Sequence, residues 1–400
     1  MISQKYLTRP LMIIFIILIS VLAPFSTDMY LSSLPEMITD FGTNEAVLNI
    51  SLYGFFAALA VSILILGPFS EKYGRKPVLV CSLALYIVMS FLCSFMDNIW
   101  MFILVRMLEA IGAGGALVVT TAVIKDSFTG KIQATVLTVT SAIGIIGPMA
   151  APVLGAFLAE STGWQSTFWF TSILGAVCLF FAFAFTESLP QEKRYTGTVA
   201  GSLSRLGAVA KNHSFMLFLG VISMFTLPYM AFLSVSSYIY QDYFSLSGTT
   251  YSLTLAMNVF LGLIGMLLLQ RVTRYVGNRR MILPFLLTGL ISGILMILFA
   301  HLDPILCLLC FIPCAAVNFT LRPFGFSILL NQKDGDGGAE SSFLNAAVFV
   351  VGTIGMIMGT LPWPDFIVGL SMCILIAAAG YAVLWGILVH RGVRLKGLET

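Results

Sequence analysis

Charge is what this chain has least of. Only 10% of its 400 residues are Asp, Glu, Lys or Arg, where soluble domains carry roughly 25%. So little polar surface cannot cover a water-soluble globule, which excludes soluble metabolism and secretion. Histidine is scarce, at three residues, and no His, Cys, Asp and Glu group has metal-ligand spacing, so neither a metal nor another cofactor is expected. The same composition, which leaves almost no extramembrane domain, disfavours nucleic-acid binding. Nucleophile–base pairs are missing near the ends of the apolar runs, which argues against an enzyme, and no ring of repeated polar residues argues for a channel. The seven cysteines (Cys81, Cys93, Cys178, Cys307, Cys310, Cys314, Cys373) all fall in apolar stretches. Cys307 and Cys310 form a CxxC on the helical face of Cys314, but without acidic or histidine neighbours they read as small apolar side chains.

What is present is apolar length. Hydrophobic residues reach 58%, against roughly 45–50% in soluble domains. Each crossing of an apolar layer of ~30 Å needs about 20 residues, so twelve crossings use about 240. Helices are required, because lipid cannot satisfy open backbone groups. The apolar runs divide as 10–38, 45–69, 77–96, 98–122, 132–158, 164–186, 214–240, 249–270, 280–300, 304–330, 339–361 and 366–389; these are numbered here as spans one to twelve. The first is too long for a signal peptide and lacks a small-residue cleavage site, so it reads as a retained span. The expected fold is therefore an all-α integral membrane protein, twelve transmembrane helices in two pseudo-symmetric six-helix bundles.

Basic residues test that division. Alternate loops carry all but two of the 21 Lys and Arg residues on one side, from Lys5 and Arg9 to Arg391, Arg394 and Lys396, and none on the other. The two exceptions, Arg106 and Arg322, lie inside spans. A missed span would scramble this asymmetry, so both termini are expected in the cytoplasm. The longest polar stretch, 187–213, reads as a cytoplasmic connector between bundles 1–186 and 214–400. Gly67-Pro-Phe-Ser-Glu71-Lys-Tyr-Gly74-Arg75-Lys76 after span two repeats, 203 residues on, around Gly277 after span eight. Duplicated halves commonly place a substrate site at the midplane. Lys333-Asp-Gly-Asp-Gly-Gly338 lacks the spacing of a calcium loop and reads as a turn.

Intramembrane charges are functional candidates by default. Asp28 lies about 25 Å along span one by helical rise, at a depth where Arg106 of span four is expected to pair with it. Glu109 shares a helical face with Arg106. Burial and a neighbouring guanidinium act on a carboxylate's proton affinity in opposite senses, which marks Asp28 as a proton-binding candidate against the alternative of a permanent ion pair. Arg322, just before Pro323, is expected to snorkel. Thr27, Tyr30, Tyr53, Tyr229, Met230, Leu233 and Asn258 are substrate-binding candidates, because Met and aromatic side chains offer polarizable area to lipophilic ligands. Gly112, Gly114 and Gly115 should let span four pack closely.

Together these segments resemble the major facilitator superfamily, and within it the drug–proton antiporters of the bicyclomycin/chloramphenicol-resistance type. The loop Gly67 to Lys76 is similar to the superfamily's G-x-L-a-D-r-x-G-r-k, with Glu71 for Asp and Phe69 for Leu. Arg106-Met-Leu-Glu109-Ala-Ile-Gly112 resembles R-x-x-q-x-x-G, with Glu109 where Gln is usual. Gly147-Pro148-Met-Ala-Ala-Pro152-Val-Leu-Gly155 in span five resembles the antiporter signature. Asp28-Met-Tyr30-Leu-Ser-Ser-Leu-Pro35 is similar to D-x-Y-L-P-A-L-P, with Ser32 for the first Pro. Lys125-Asp126 after span four extends the likeness. The resemblance implies the major facilitator fold and a monomer in the bacterial cytoplasmic membrane that exchanges incoming protons for outgoing lipophilic molecules, the proton gradient being its energy source. It makes Asp28 the proton and competition site, Arg106 its coupling partner, and Glu71 with Arg75 a cytoplasmic latch. Glu109, a further proton-coupling candidate, adds an ionisable group that would alter the stoichiometry or favour cationic substrates. Export of a sugar or small metabolite on the same scaffold is the alternative.

Overall fold

The computed structural model describes residues 4, 6–198, 201, 207, 209–276, 282–330 and 337–391. Among them every regular element is helical. Eleven helices are long and apolar enough to cross a membrane, and the shorter apolar helix Leu283–Phe299 lies at expected span nine. Their outward faces are apolar as well: Phe157 and Phe180 are 70% and 73% exposed. Surface of that kind fits hydrocarbon, where water would penalise it. The chain is a multi-pass membrane protein. The loop around Gly277 and all but the end of the Lys333–Gly338 stretch lie outside the described residues.

Two compact units divide the chain, Met1–Ser204 and Arg205–Thr400. Their helix pairings match. In the first unit, span three packs on span four, two on four, one on five and three on six. In the second, nine packs on ten, eight on ten, seven on eleven and nine on twelve. Small residues allow the closest approaches. At Gly112 a side chain would collide with the Tyr86 backbone of span three, and Ser62 Oγ of span two donates to Ile111 O at 2.7 Å.

Span one is not one helix, contrary to the expectation of a continuous 10–38. It runs Arg9–Asp28, turns through Met29 and Tyr30, makes a short 3-10 segment at Leu31–Ser33 and resumes as Leu34–Phe41. Pro35 supplies the cause: it has no N–H for the Leu31 carbonyl, and its ring crowds the preceding turn. Span seven repeats the device. Its helix His213–Ser223 ends one turn before Pro228 and resumes as Thr226–Ser237, followed by a π-helical stretch, Tyr238–Tyr243. Each break is covered by a glycine of the packed helix. A side chain at Gly155 would run into the Met29 carbonyl, and one at Gly355 into the Leu227 carbonyl.

Candidate functional site

The break in span one leaves carbonyls of its last turn without intrahelical donors. Arg106 of span four (Ile99–Ser127) meets one of them: its Nη2 donates to Ser26 O at 2.9 Å. A guanidinium at a helix C-terminus also complements the macrodipole. The expected Arg106–Asp28 pair is not formed. Arg106 Nη1 instead donates to Glu109 Oε2 at 2.6 Å, with both side chains fully buried. The i, i+3 spacing explains this outcome, because Glu109 reaches the guanidinium from the same helix without any interhelical fit. Rings close the cage. The guanidinium carbon lies 4.4 Å from the Phe55 centroid, 4.7 Å from Tyr30 and 5.4 Å from Phe168. Cys93 Sγ donates weakly to Glu109 Oε2 at 3.8 Å, while Glu109 Oε1 and Arg106 Nε have no hydrogen-bond partner.

Asp28 sits at the end of its helix and is 5% exposed. Among the described residues it belongs to no ion pair; the fully buried charge pair of this unit is Arg106 with Glu109. Thr27 turns its hydroxyl back to Ala23 O and Pro24 O. Tyr30 is buried, its hydroxyl 3.3 Å from Ser51 Oγ and its ring 5.6 Å from Phe168. Ser26 and Tyr86 share a hydrogen bond of 2.6 Å. The structure thus gathers Thr27, Asp28, Tyr30, Arg106 and Glu109 around one helix break. Tyr53 lies in the same unit, half-buried on the helix Ile50–Tyr73. Span five covers the break: Gly147 is buried against Pro24, and Gly155 lies over Met29, with Pro148 and Pro152 inside its helix.

In the second unit, Tyr229, Met230 and Leu233 sit on Thr226–Ser237, with Tyr229 and Leu233 buried and Met230 half-buried beside Gly352. Asn258 of span eight is fully buried, and neither polar atom of its amide has a hydrogen-bond partner. Span ten joins the two positions. Phe319 packs at 5.1 Å on Tyr229 and also fills the notch at Gly262, one turn from Asn258. Phe319, Phe55 and Phe168 were not among the expected site residues, since 32 phenylalanines in an apolar chain offer no local signal.

The loop after span two is tied down within the first unit. Arg75 Nε donates to Asp126 Oδ2 at 3.0 Å and Nη1 to Ser70 Oγ at 2.7 Å, so its carboxylate partner is Asp126 and not Glu71. Gly74 takes φ +106°, the left-handed side that favours glycine, and Ser70 Oγ donates to the buried Gly67 carbonyl. Glu187 then caps the next helix from outside it, accepting from Arg75 N at 2.9 Å and Lys76 N at 3.0 Å. Tyr195 N donates to the Glu71 carbonyl at 3.0 Å. The early part of the expected connector therefore lies folded on this loop. Arg322 is exposed, its guanidinium 5.8 Å from the Phe326 ring.

Among the described residues no group of three or more His, Cys, Asp or Glu could hold a metal. The family model described as Major Facilitator Superfamily matches residues 16–360. The MFS-type transporter YdgK of Bacillus subtilis (strain 168) is 25% identical over 344 residues, covering 84% of this chain and 85% of that protein. Multidrug resistance protein MdtL of Escherichia coli O157:H7 is 36% identical over 170 residues. That match covers 42% of this chain and spans only 44% of MdtL. Among solved structures, a bacterial homolog of the human lysosomal transporter Spinster aligns with TM-score 0.76 at 14% identity, covering 97% of this chain and 98% of that one. The xylose transporter XylE from E. coli aligns at 0.73 and 14%, with the same coverage. At such identities these two likenesses concern the fold.

Proposed function

The chain belongs to the Major Facilitator Superfamily, a transporter and not an enzyme, and from that premise we propose that it is a drug–proton antiporter of the bicyclomycin/chloramphenicol-resistance type. In this reading it sits in the bacterial cytoplasmic membrane with both termini inside, works as a monomer by alternating access, and exchanges entering protons for leaving lipophilic molecules. The observation that carries it is Asp28: a buried carboxylate at a helix break, outside any ion pair among the described residues. The partial likeness to MdtL supports the multidrug part.

A lone carboxylate in an apolar interior is costly when charged. A proton relieves that cost, and so does a bound solute that offsets the charge, so each disfavours the other. That mutual exclusion is the coupling an antiporter needs. Arg106, tied to the carbonyl two residues before Asp28, positions the break and with Glu109 sets the local field. Thr27, Tyr30, Tyr53, Tyr229, Met230, Leu233 and Asn258 supply ligand contacts. Gly147, Pro148, Pro152 and Gly155 hold span five over the break, while Gly67, Glu71, Gly74, Arg75 and Asp126 change partners at the cytoplasmic end during the cycle. Each unit of ΔpH provides about 1.4 kcal/mol per proton. Membrane potential provides about 2.3 kcal/mol per charge per 100 mV. One proton exchanged for a neutral molecule uses both; exchanged for a monovalent cation it uses ΔpH alone.

Proteoliposomes test the proposal. With an imposed pH gradient the natural chain should drive accumulation of a lipophilic drug, and Asp28→Asn should abolish the gradient-driven part while remaining folded. Undiminished gradient-driven transport by Asp28→Asn would reject it. Mutual inhibition by structurally unrelated lipophilic drugs separates multidrug export from export of one sugar or metabolite.

A further inference from the structure

We infer that Glu109 is the built-in counter-ion of Arg106, and that by occupying the guanidinium it leaves Asp28 unneutralised, so that the site selects organic cations over neutral molecules of the same shape. The inference rests on the antiport reading of Asp28 and adds to it what decides the substrate's charge. Glu109 acts here as a positioning residue, through Arg106, and touches neither proton nor substrate.

The charge inventory of the first unit carries the argument. Among the described residues its buried acids and bases are Asp28, Arg75, Arg106 and Glu109. Arg75 is spent at the loop on Asp126. That leaves two carboxylates and one guanidinium in the interior, a net charge of minus one when both acids are ionised. The guanidinium is committed: Nη1 to Glu109, Nη2 to Ser26 O, and its faces to Tyr30, Phe55 and Phe168. The uncompensated negative charge therefore falls on Asp28. In a low-dielectric interior such a charge is expensive, and a proton or a cationic solute removes the expense while a neutral solute does not.

Replace Glu109 by an amide and the sum changes to zero. Arg106 is already hydrogen-bonded two residues from Asp28, so a released Nη1 has the aspartate as its nearest buried acid on the neighbouring helix. Asp28 would then be neutralised internally and lose its demand for a cation. The residue at 109 thereby acts as a selector between charged and uncharged cargo.

The test is a binding measurement on the purified full chain in detergent, at a fixed alkaline pH. The probes are tetraphenylphosphonium, a lipophilic monovalent cation, and uncharged triphenylphosphine oxide. The natural chain should prefer the cation by about ten-fold or more, the low end of what close buried charges contribute. Glu109→Gln should lose most of that preference. Arg106→Gln with Glu109→Gln should regain it, because removing both charges again leaves Asp28 alone. A cation preference retained in Glu109→Gln, or still missing in the double variant, overturns the inference; the latter would mean that Glu109 binds the cation itself. Equal binding of the two probes by the natural chain overturns it as well. If the single variant does not fold, the double variant decides by the same ratio. The antiport reading fails separately, through gradient-driven transport that survives Asp28→Asn.

Discussion

Around its helix break the first unit buries Asp28, Arg106 and Glu109; at its own break the second has the amide Asn318, accepting from Thr226 Oγ1 at 3.2 Å, and its buried acid, Glu340, stands at the start of span eleven. Yet the two units pair their helices in the same order, and both break their first helix one turn ahead of a proline. Duplication has kept the backbone device and let the buried chemistry diverge. Each break exposes carbonyls. In the first unit a guanidinium attends to them, and an acid stands at the same place. In the second, backbone donors meet them: Met224 N donates to Val221 O at 3.4 Å and Leu227 N to Met224 O at 3.3 Å. On the antiport reading proposed above, the proton chemistry falls to the first half, and the second adds the ligand contacts Tyr229, Met230, Leu233 and Asn258 to those of the first.

That contrast can be broken most forcefully at Arg106. Arg106→Met leaves Glu109 buried without a counter-ion and Ser26 O without a donor, a loss of about 3–5 kcal/mol. A large fall in melting temperature in detergent is expected. The two glycine crossings come next. Gly155→Val and Gly355→Val each force a side chain into a backbone carbonyl, costing about 1–3 kcal/mol by overpacking. Similar losses of thermal stability in both would confirm that the backbone device is shared; a loss in one alone would deny the equivalence. Asn258→Leu should change stability by no more than about 1 kcal/mol in either direction, because the amide it removes is already unpartnered. Ligand titration should nevertheless register that change, if Asn258 faces cargo. The smallest expected effect is at the loop. Asp126→Asn removes a partly exposed pair worth about 1 kcal/mol or less, while Glu71→Gln removes no pair among the described residues. Transport assays should find the first more damaging.

Much of this was legible in the residues themselves. Lipid forces helices and sorts charge, so spans and their duplication follow from apolar length and the one-sided Lys and Arg. The break in span one was harder. Nothing in Asp28-Met29-Tyr30 breaks a helix; the cause is Pro35, acting a turn upstream through a missing donor, and Pro228 does the same in span seven. The pairing of Arg106 also needed the structure. Depth pointed to Asp28 as its partner, and the local i, i+3 geometry of Glu109 won over an interhelical contact whose fit no sequence states. Arg75 needed the structure too: the resemblance named it beside Glu71, and the acid that meets its guanidinium, Asp126, comes from the end of span four. Aromatic neighbours such as Phe168 and Phe319 were invisible among so many like them.

Proton counting reaches the central claim most directly. A lipophilic cation is added to the purified chain in weakly buffered detergent solution, at a pH where Asp28 is partly protonated, and the protons released are measured. The account expects release in the natural chain that saturates with ligand binding and disappears in Asp28→Asn. Ligand binding with no release from the natural chain at any pH, or the same release from Asp28→Asn, would contradict it.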